Sequence, residues 1–459
     1  MATPDLQLRV TSRTLIKASN PPPQPSILPV SNLDLVFHSF HISLFTIYPS
    51  PGNGDSAFSS IVSTVKSTWP AFLNQFFPFS GRIQFDPATN VPEINNNNAG
   101  AELVVAESDL PLSAIHFHDV DKSLNLIQLP FAKDLALSLQ LVRFSCGGFS
   151  ISWGTNHLLV DGHGLTMLPI FWSEFVRSGK LSSPPNHDRS VFRPRSPPRY
   201  DSKLEQEFMR YDPSKLINVL MADAVVRRNY VVDACDVDRL CKLASSAGHR
   251  ATRTEAMSAY LWKTMGSVIG ESDSTCRMAW LVDGRRRFGG EDNAAMEGYL
   301  GNVVTYASKE ITIQELAQLP LSAIAKMVRT AIKQVASKER FLQLVDWMEE
   351  NKKYGKWTEV VGVGFGSPAM VVTSFGSFEV DADFGFGKPG LVMPWVRPGR
   401  LGTASMTLLR SSKGDGSWIV GGRLWPKLAA AIEADPGRFL KKATAESLGL
   451  TAPTQVSRL

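Results

Sequence analysis

Apolar and polar positions alternate over residues 7–17, where Val10, Leu15 and Ile16 fall, and that period of two predicts a first strand. The prolines at 21, 22, 23 and 25 enforce an extended connector. Leu33 to Tyr48 is apolar and β-branched, contains His38 and His41, and reads as one buried strand. From Phe58 to Phe76 the spacing becomes helical. Phe77-Pro78-Phe79-Ser80-Gly81-Arg82-Ile83 then turns into another strand. Asn95 to Asn98 predicts a polar loop and Ala101 to Ala106 a strand. Leu135 to Phe144 and Phe149 to Trp153 flank Gly147-Gly148 as a hairpin, and a helix follows over 165–178.

Residues 179–201 are rich in Pro, Ser and Arg and have no apolar period, which predicts a crossover between two domains. The expected boundaries are 1–178, a linker over 179–229, and 230–459. The second half begins with a short helix over Asp236 to Ser246. Thr254 to Ser267 is a second helix, with Thr252 or Thr254 as its cap. Met278 to Val282 is a strand that runs into Asp283-Gly284-Arg285. Leu316 to Met348 reads as one long helical stretch. Val360 to Thr373 and Ser417 to Leu424 carry strand patterns, and Pro426 to Ala434 is a helix with proline at its first position. Short strands mixed with helices in both halves predict an α/β fold with mixed sheets, or α+β layering.

Totals narrow the function. A chain of 459 residues exceeds one core and suits two large domains. The net charge of +5 is spread out, and no basic block interleaves with aromatics, so nucleic acid is not the expected partner. A mild basic excess suits an anionic small molecule, such as a phosphorylated cofactor, without demanding one. Cys146, Cys235, Cys241 and Cys276 have neither metal spacing nor a disulfide framework and read as free thiols of a reducing compartment. No leader pattern or membrane-length apolar run is visible, so the expectation is a cytoplasmic protein without a membrane partner. Ser457-Arg458-Leu459 is a conservative variant of the Ser-Lys-Leu peroxisomal address, which makes the peroxisome the alternative.

One stretch concentrates chemistry: Asn156-His157-Leu158-Leu159-Val160-Asp161-Gly162-His163-Gly164. It joins a predicted strand to a predicted helix and so places an imidazole at an element end. A neutral imidazole can take a proton from a hydroxyl or amine near neutral pH. Asp161, four residues on, could orient it as a triad carboxylate does, or could simply cap the helix. His163 could complete a metal site with them, but reads better as a turn residue, and no metal is expected. A second compact motif, Asp383-Phe384-Gly385-Phe386-Gly387, suits a tight turn. A kinase reading of it fails for want of the accompanying loops. Gly362-Val363-Gly364-Phe365-Gly366 lacks dinucleotide-loop spacing.

His-x-x-x-Asp-Gly followed by Asp-Phe-Gly-Phe-Gly resembles the plant BAHD acyl-CoA-dependent acyltransferases. The resemblance extends to Ser31-Asn32-Leu33-Asp34-Leu35, Phe77 to Arg82, Phe144 to Phe149, Thr254 to Trp262, Asp283-Gly284-Arg285 and Tyr299-Leu300-Gly301-Asn302, in the family's order. It implies two chloramphenicol-acetyltransferase-like domains with a channel between them, and a monomer. It makes His157 the general base for direct acyl transfer from CoA, with acyl-CoA as co-substrate and no resident cofactor. By the same resemblance Asp161 pairs with Arg285 in a structural role, and Asp383 holds its loop. Ser258, Thr373 and Ser374 would contact CoA, and His41, Phe375, Ser377 and Phe386 would line the substrate channel.

Two departures bear on substrate. Phe386 stands where the family has Trp. Relatives that acylate shikimate or quinate have Ser-Trp-x-Arg where this chain has Ser374-Phe375-Gly376-Ser377, so their carboxylate clamp is missing. The segment from Ser31 to Val36 with His41 nonetheless resembles the hydroxycinnamoyl-transferase branch. The expectation is therefore an aromatic, hydroxycinnamoyl-type donor and a neutral hydroxyl or amine acceptor. The alternatives are ring closure of an ortho-hydroxycinnamoyl thioester to a coumarin, hydrolysis, and a non-catalytic partner protein.

Overall fold

The computed structural model describes residues 6–22, 26–36, 40–51, 54–210, 225–270, 273–288, 294–355, 357–359, 368–396 and 404–451. Outside them lie His38, the first part of the strand expected from Val360, the Gly362–Gly366 run, part of the expected linker and Ser457-Arg458-Leu459.

Two large sheets organise the chain. The strands of the first half are β1 (Arg9–Ile16), β2 (His41–Tyr48), β3 (Ala101–Ser108), β4 (Leu137–Phe144) and β5 (Phe149–Asn156). Those of the second half are β6 (Val226–Val232), β7 (Thr275–Asp283), β8 (Val304–Thr312), β9 (Ala369–Ser374), β10 (Leu391–Val396), β11 (Ala404–Arg410), β12 (Trp418–Leu424) and β13 (Lys441–Lys442). The first sheet has the order β1-β3-β4-β5-β2-β10, and the second β8-β7-β9-β11-β12-β6-β13. The α/β expectation with mixed sheets is met: β3 and β4 are parallel, while β4–β5, β5–β2 and β2–β10 are antiparallel.

Alternation along β5 sets the layering. Phe149, Ile151 and Trp153 face helices α1 (Gly54–Gln75) and α2 (Gly162–Ser178) and join Trp69, Phe72 and Trp172 in one core. Ser150, Ser152, Gly154 and Asn156 point to the opposite face. In the second half α3 (Arg253–Val268) covers its sheet, with Trp262 against Trp280 at 5.9 Å. Thr252 caps α3: its hydroxyl accepts from Glu255 N, and Glu255 accepts from Thr252 N. A third core joins the inner faces of both sheets, with Phe45, Ile47 and Phe144 from the first and Val231, Leu409 and Ile419 from the second.

Sheet membership does not follow the expected division at residue 230. Strand β10 crosses over and pairs with β2, Trp395 opposite Ser43 and Leu391 opposite Ile47. Its Leu391 and Met393 are buried there, at about 1.5–3 kcal/mol of apolar burial each.

Local chemistry corrects two elements. The span from Leu33 is not one strand: Asn32–Leu35 is a helical turn ahead of β2. Ser31 caps it, accepting from Asp34 N while Asp34 Oδ2 accepts from Ser31 N at 2.7 Å. The helical stretch from Leu316 to Met348 is three helices, Ile313–Gln318, Leu321–Val335 and Lys338–Asn351. Pro320, which has no N–H to donate, ends the first, and Ser337 caps the third by accepting from Arg340 N.

Candidate active site

His157 is the first residue after β5. Its backbone N–H donates to the Phe40 carbonyl at 2.9 Å, and its ring lies 4.9 Å from that of Phe40. Nδ1 is 3.0 Å from Asn302 Oδ1. The amide orientation is over-determined, because Asn302 Nδ2 donates to Asp34 Oδ1 at 2.8 Å and to the His157 carbonyl at 2.7 Å. An oxygen therefore faces Nδ1, so Nδ1 carries the hydrogen and Nε2 keeps the lone pair. Burial lowers the pKa of His157 against the opposing pull of its own backbone, Asp161 and Asn302, so the ring is neutral at pH 7. The result is an imidazole held in the tautomer of a base.

Asp34 anchors this arrangement. It is fully buried, and its Oδ1 also accepts from Asn302 N at 2.7 Å. Arg189 Nε lies 3.3 Å from its Oδ2. Sequence reasoning identified neither Asn302 as the histidine's partner nor Asp34 as the anchor of Asn302. The one signal was membership of the Tyr299-Leu300-Gly301-Asn302 and Ser31–Leu35 motifs.

Asp161 faces elsewhere. It caps α2 by accepting from Gly164 N at 3.1 Å. Arg285 grips it with two bonds, Nη1 to Oδ2 at 2.8 Å and Nη2 to Oδ1 at 3.0 Å. Val303 N donates to Oδ2 at 3.0 Å. Burial would raise the carboxyl's pKa, but the Arg285 guanidinium outweighs it and holds the pKa below the ordinary value. Both oxygens are committed, so Asp161 ties the His157 turn to the second half of the chain instead of orienting His157. Arg285 completes the clamp by donating to the Gly301 carbonyl at 2.8 Å. His163 turns outward from it, with Nε2 3.0 Å from the Glu297 carbonyl and its ring against Phe378. Among the described residues no group of three or more His, Cys, Asp or Glu side chains could hold a metal ion.

The remaining candidates divide. His41 opposite Asn156 in the β2–β5 pair stacks on Phe131 at 4.0 Å, on the face that meets the second sheet. Phe375 is buried beside the turn that carries His157, where a methyl group on Gly162 would come within 2.8 Å of its ring. Ser377 is exposed just beyond it. Thr373 shares a partly accessible strip with Val371, Ser405 and Thr407, while Met370, Val372, Ala404 and Met406 between them are buried. Ser374 points to the other side, 3.1 Å from Thr254 Oγ1.

Two candidates, Ser258 and Phe386, are corrected. Ser258 is fully buried, and its hydroxyl accepts from Trp280 Nε1 at 2.9 Å, so it offers no surface to a coenzyme. Phe386 packs on Tyr48 and Phe149, on the helix-covered face of the first sheet. Phe149 and His157 are eight strand positions apart, about 26 Å, so Phe386 lines no wall near the histidine. It borders instead a separate cavity of about 600 Å³ walled by Ser60, Thr64, Trp172 and Phe384. Asp383 sits in the same remote loop and accepts from Gly385 N at 2.8 Å and Gly387 N at 3.2 Å. Both glycines have positive φ, which a side chain would strain. Asp383 thus holds a turn and takes no part in chemistry at His157.

A family model described as "Transferase family" matches residues 6–437. A hydroxycinnamoyltransferase of Narcissus pseudonarcissus is 27% identical, covering 89% of this chain and 94% of the relative. Putrescine hydroxycinnamoyltransferase 3 of Oryza sativa subsp. japonica is 25% identical, covering 90% and 95%. The crystal structure of vinorine synthase superposes with a TM-score of 0.71 at 19% identity, covering 95% of this chain and 99% of that one. F. sporotrichioides TRI101, complexed with coenzyme A and T-2, superposes at 0.74 with 17% identity over 90% and 99%.

Proposed function

The chain belongs to the BAHD acyltransferases, the Transferase family whose model spans it, and from that membership we propose a specific reaction. An aromatic, hydroxycinnamoyl-type acyl group moves from CoA to a hydroxyl or amine of a small acceptor. The relatives named for hydroxycinnamoyl transfer support the donor class. The observation that carries the mechanism is the lone pair fixed at His157 Nε2 by Asn302.

Nε2 takes the acceptor's proton as its oxygen or nitrogen attacks the thioester carbonyl. The C–S bond of the tetrahedral adduct then breaks, and the CoA thiolate recovers the proton from the imidazolium. No covalent acyl-enzyme forms. A positioned base contributes roughly 10²–10⁴-fold, and binding both substrates together supplies orientation. Acyl-CoA is a co-substrate, and the protein needs no resident cofactor.

The test is thiol release from a panel of hydroxycinnamoyl and ortho-hydroxylated acyl-CoAs, with and without a pool of alcohols and amines, for wild type and His157→Ala. Acceptor-dependent release that falls about 10²-fold or more in the variant is the expected result. Release without acceptor, yielding a ring-closed product by mass, would assign the intramolecular route instead. No release with any donor, from folded protein, would overturn the reading.

A further inference from the structure

The inner face of the second sheet ends in a cluster of N–H donors that lack acceptors among the described residues. Arg227 pairs across strands with Arg423, and Asn229 with Gly421, so both arginines and Asn229 project from the same face. The Arg227 guanidinium lies 5.3 Å from the Trp395 ring, which β10 delivers from the first sheet. Arg423 Nε and Nη1, Arg227 Nε, Asn229 Nδ2 and Trp395 Nε1 are buried and without a hydrogen-bond partner among the described residues. Asn229 is 3% exposed and Trp395 8%. Each such donor costs about 1–3 kcal/mol of lost hydration unless something accepts from it. All five are donors, and the nearby carboxylate, Asp121, is committed to Arg227 Nη1 and its backbone N–H. Burial, then the like charge of Arg227, pushes the Arg423 pKa down to about 10, so its guanidinium stays charged at neutrality. The cluster carries one net positive charge.

Its position indicates what it meets. Trp395 lies opposite Ser43, two residues from His41 on the same face, and His41 lies opposite Asn156, the neighbour of His157. Two strand spacings and three residues put the cluster's Trp395 about 14 Å from His157 along the sheet. An arylpropenoyl group and an arginine side chain cover that span between them. The partly accessible strip of Ser405 and Thr407 leads to Arg423, with Ser405 its direct cross-strand neighbour.

We propose that Arg423, Arg227, Asn229 and Trp395 form an oxyanion subsite that holds a phenolic oxygen at the far end of the transferred acyl group. The proposal rests on the acyltransferase reading and adds to it the chemical class of the donor. One net charge beside an aromatic wall suits a phenol polarised towards phenolate. The charged groups facing that oxygen are Arg423 from β12, Arg227 from β6 and Asp121 from the segment 120–122, with His41 farther along β2.

The experiment reads binding without turnover. His157→Ala protein is mixed with 4-coumaroyl-CoA, and the red-shifted phenolate absorbance is followed against pH. The phenol's midpoint is expected to fall by about one unit or more on binding. Adding Arg423→Gln should abolish the shift, and Arg423→Lys should retain part of it. In otherwise wild-type enzyme, Arg423→Gln should cut the kcat/KM preference for 4-coumaroyl-CoA over cinnamoyl-CoA about tenfold or more. A bound phenol that titrates as it does free, or an Arg423→Gln loss equal for both donors, would overturn the subsite. So would an effect that disappears with N-acetylcysteamine thioesters, since the anion would then be a CoA phosphate. Protein that shifts the phenol but transfers no acyl group keeps the subsite and loses the acyltransferase reading. Transfer without the shift loses the subsite alone.

Discussion

Asn302 holds its amide oxygen 3.0 Å from Nδ1 of His157 and spends both amide hydrogens on Asp34 and on the carbonyl of the same histidine. This division of labour sets the tautomer. It also removes any need for Asp161 as the orienting group, since both oxygens of Asp161 are held by Arg285, Val303 and Gly164.

Asn302→Ala should lower kcat about 10²-fold through misplacement of the imidazole, with a smaller change in donor KM. In the wild-type enzyme, burial holds the His157 pKa below 6.5. The base is protonated only beneath that depressed value, so the acid limb of kcat/KM should lie at lower pH than a free imidazole would give. Asn302→Asp places a carboxylate beside Nδ1, favours the imidazolium, and should move this limb to higher pH. A pH–rate profile of the three proteins checks both signs.

Arg285→Ala leaves Asp161 buried without its bidentate partner, and should cost about 3–5 kcal/mol in urea unfolding. Asp161→Asn should destabilise in the same direction while retaining far more turnover per folded molecule than His157→Ala. A folded Asp161→Asn protein as slow as His157→Ala would return the carboxylate to the chemistry.

In the Asp383 loop, Asp383→Ala removes the acceptor shared by Gly385 N and Gly387 N and should cost about 1–3 kcal/mol. Phe386→Trp enlarges a ring that borders open volume, so Tm should hold or rise. Donor KM should not change, because this loop packs at the opposite end of β5 from His157. Melting curves and donor titrations of the two variants separate a structural loop from a substrate wall.

Local pattern by itself determined much of this protein. The alternation in Phe149–Trp153, the caps at Thr252 and Asp161 and the order of the motifs around His157 each depend on residues near one another in sequence, where periodicity and capping are legible. They suffice for the α/β class and most helices and strands, and they single out His157 as the candidate base. Tertiary structure decided what lies across long separations. Asn302 stands 145 residues from His157, and β10 leaves its own half to pair with β2. Phe386 packs on Tyr48 at the far end of the sheet, and Arg227 meets Trp395 only through that crossing strand. No spacing rule reports such contacts, because they follow from which faces bury together. A side chain's role here depends on which donors and acceptors that burial leaves committed, as Ser258, spent on Trp280 in the core, shows.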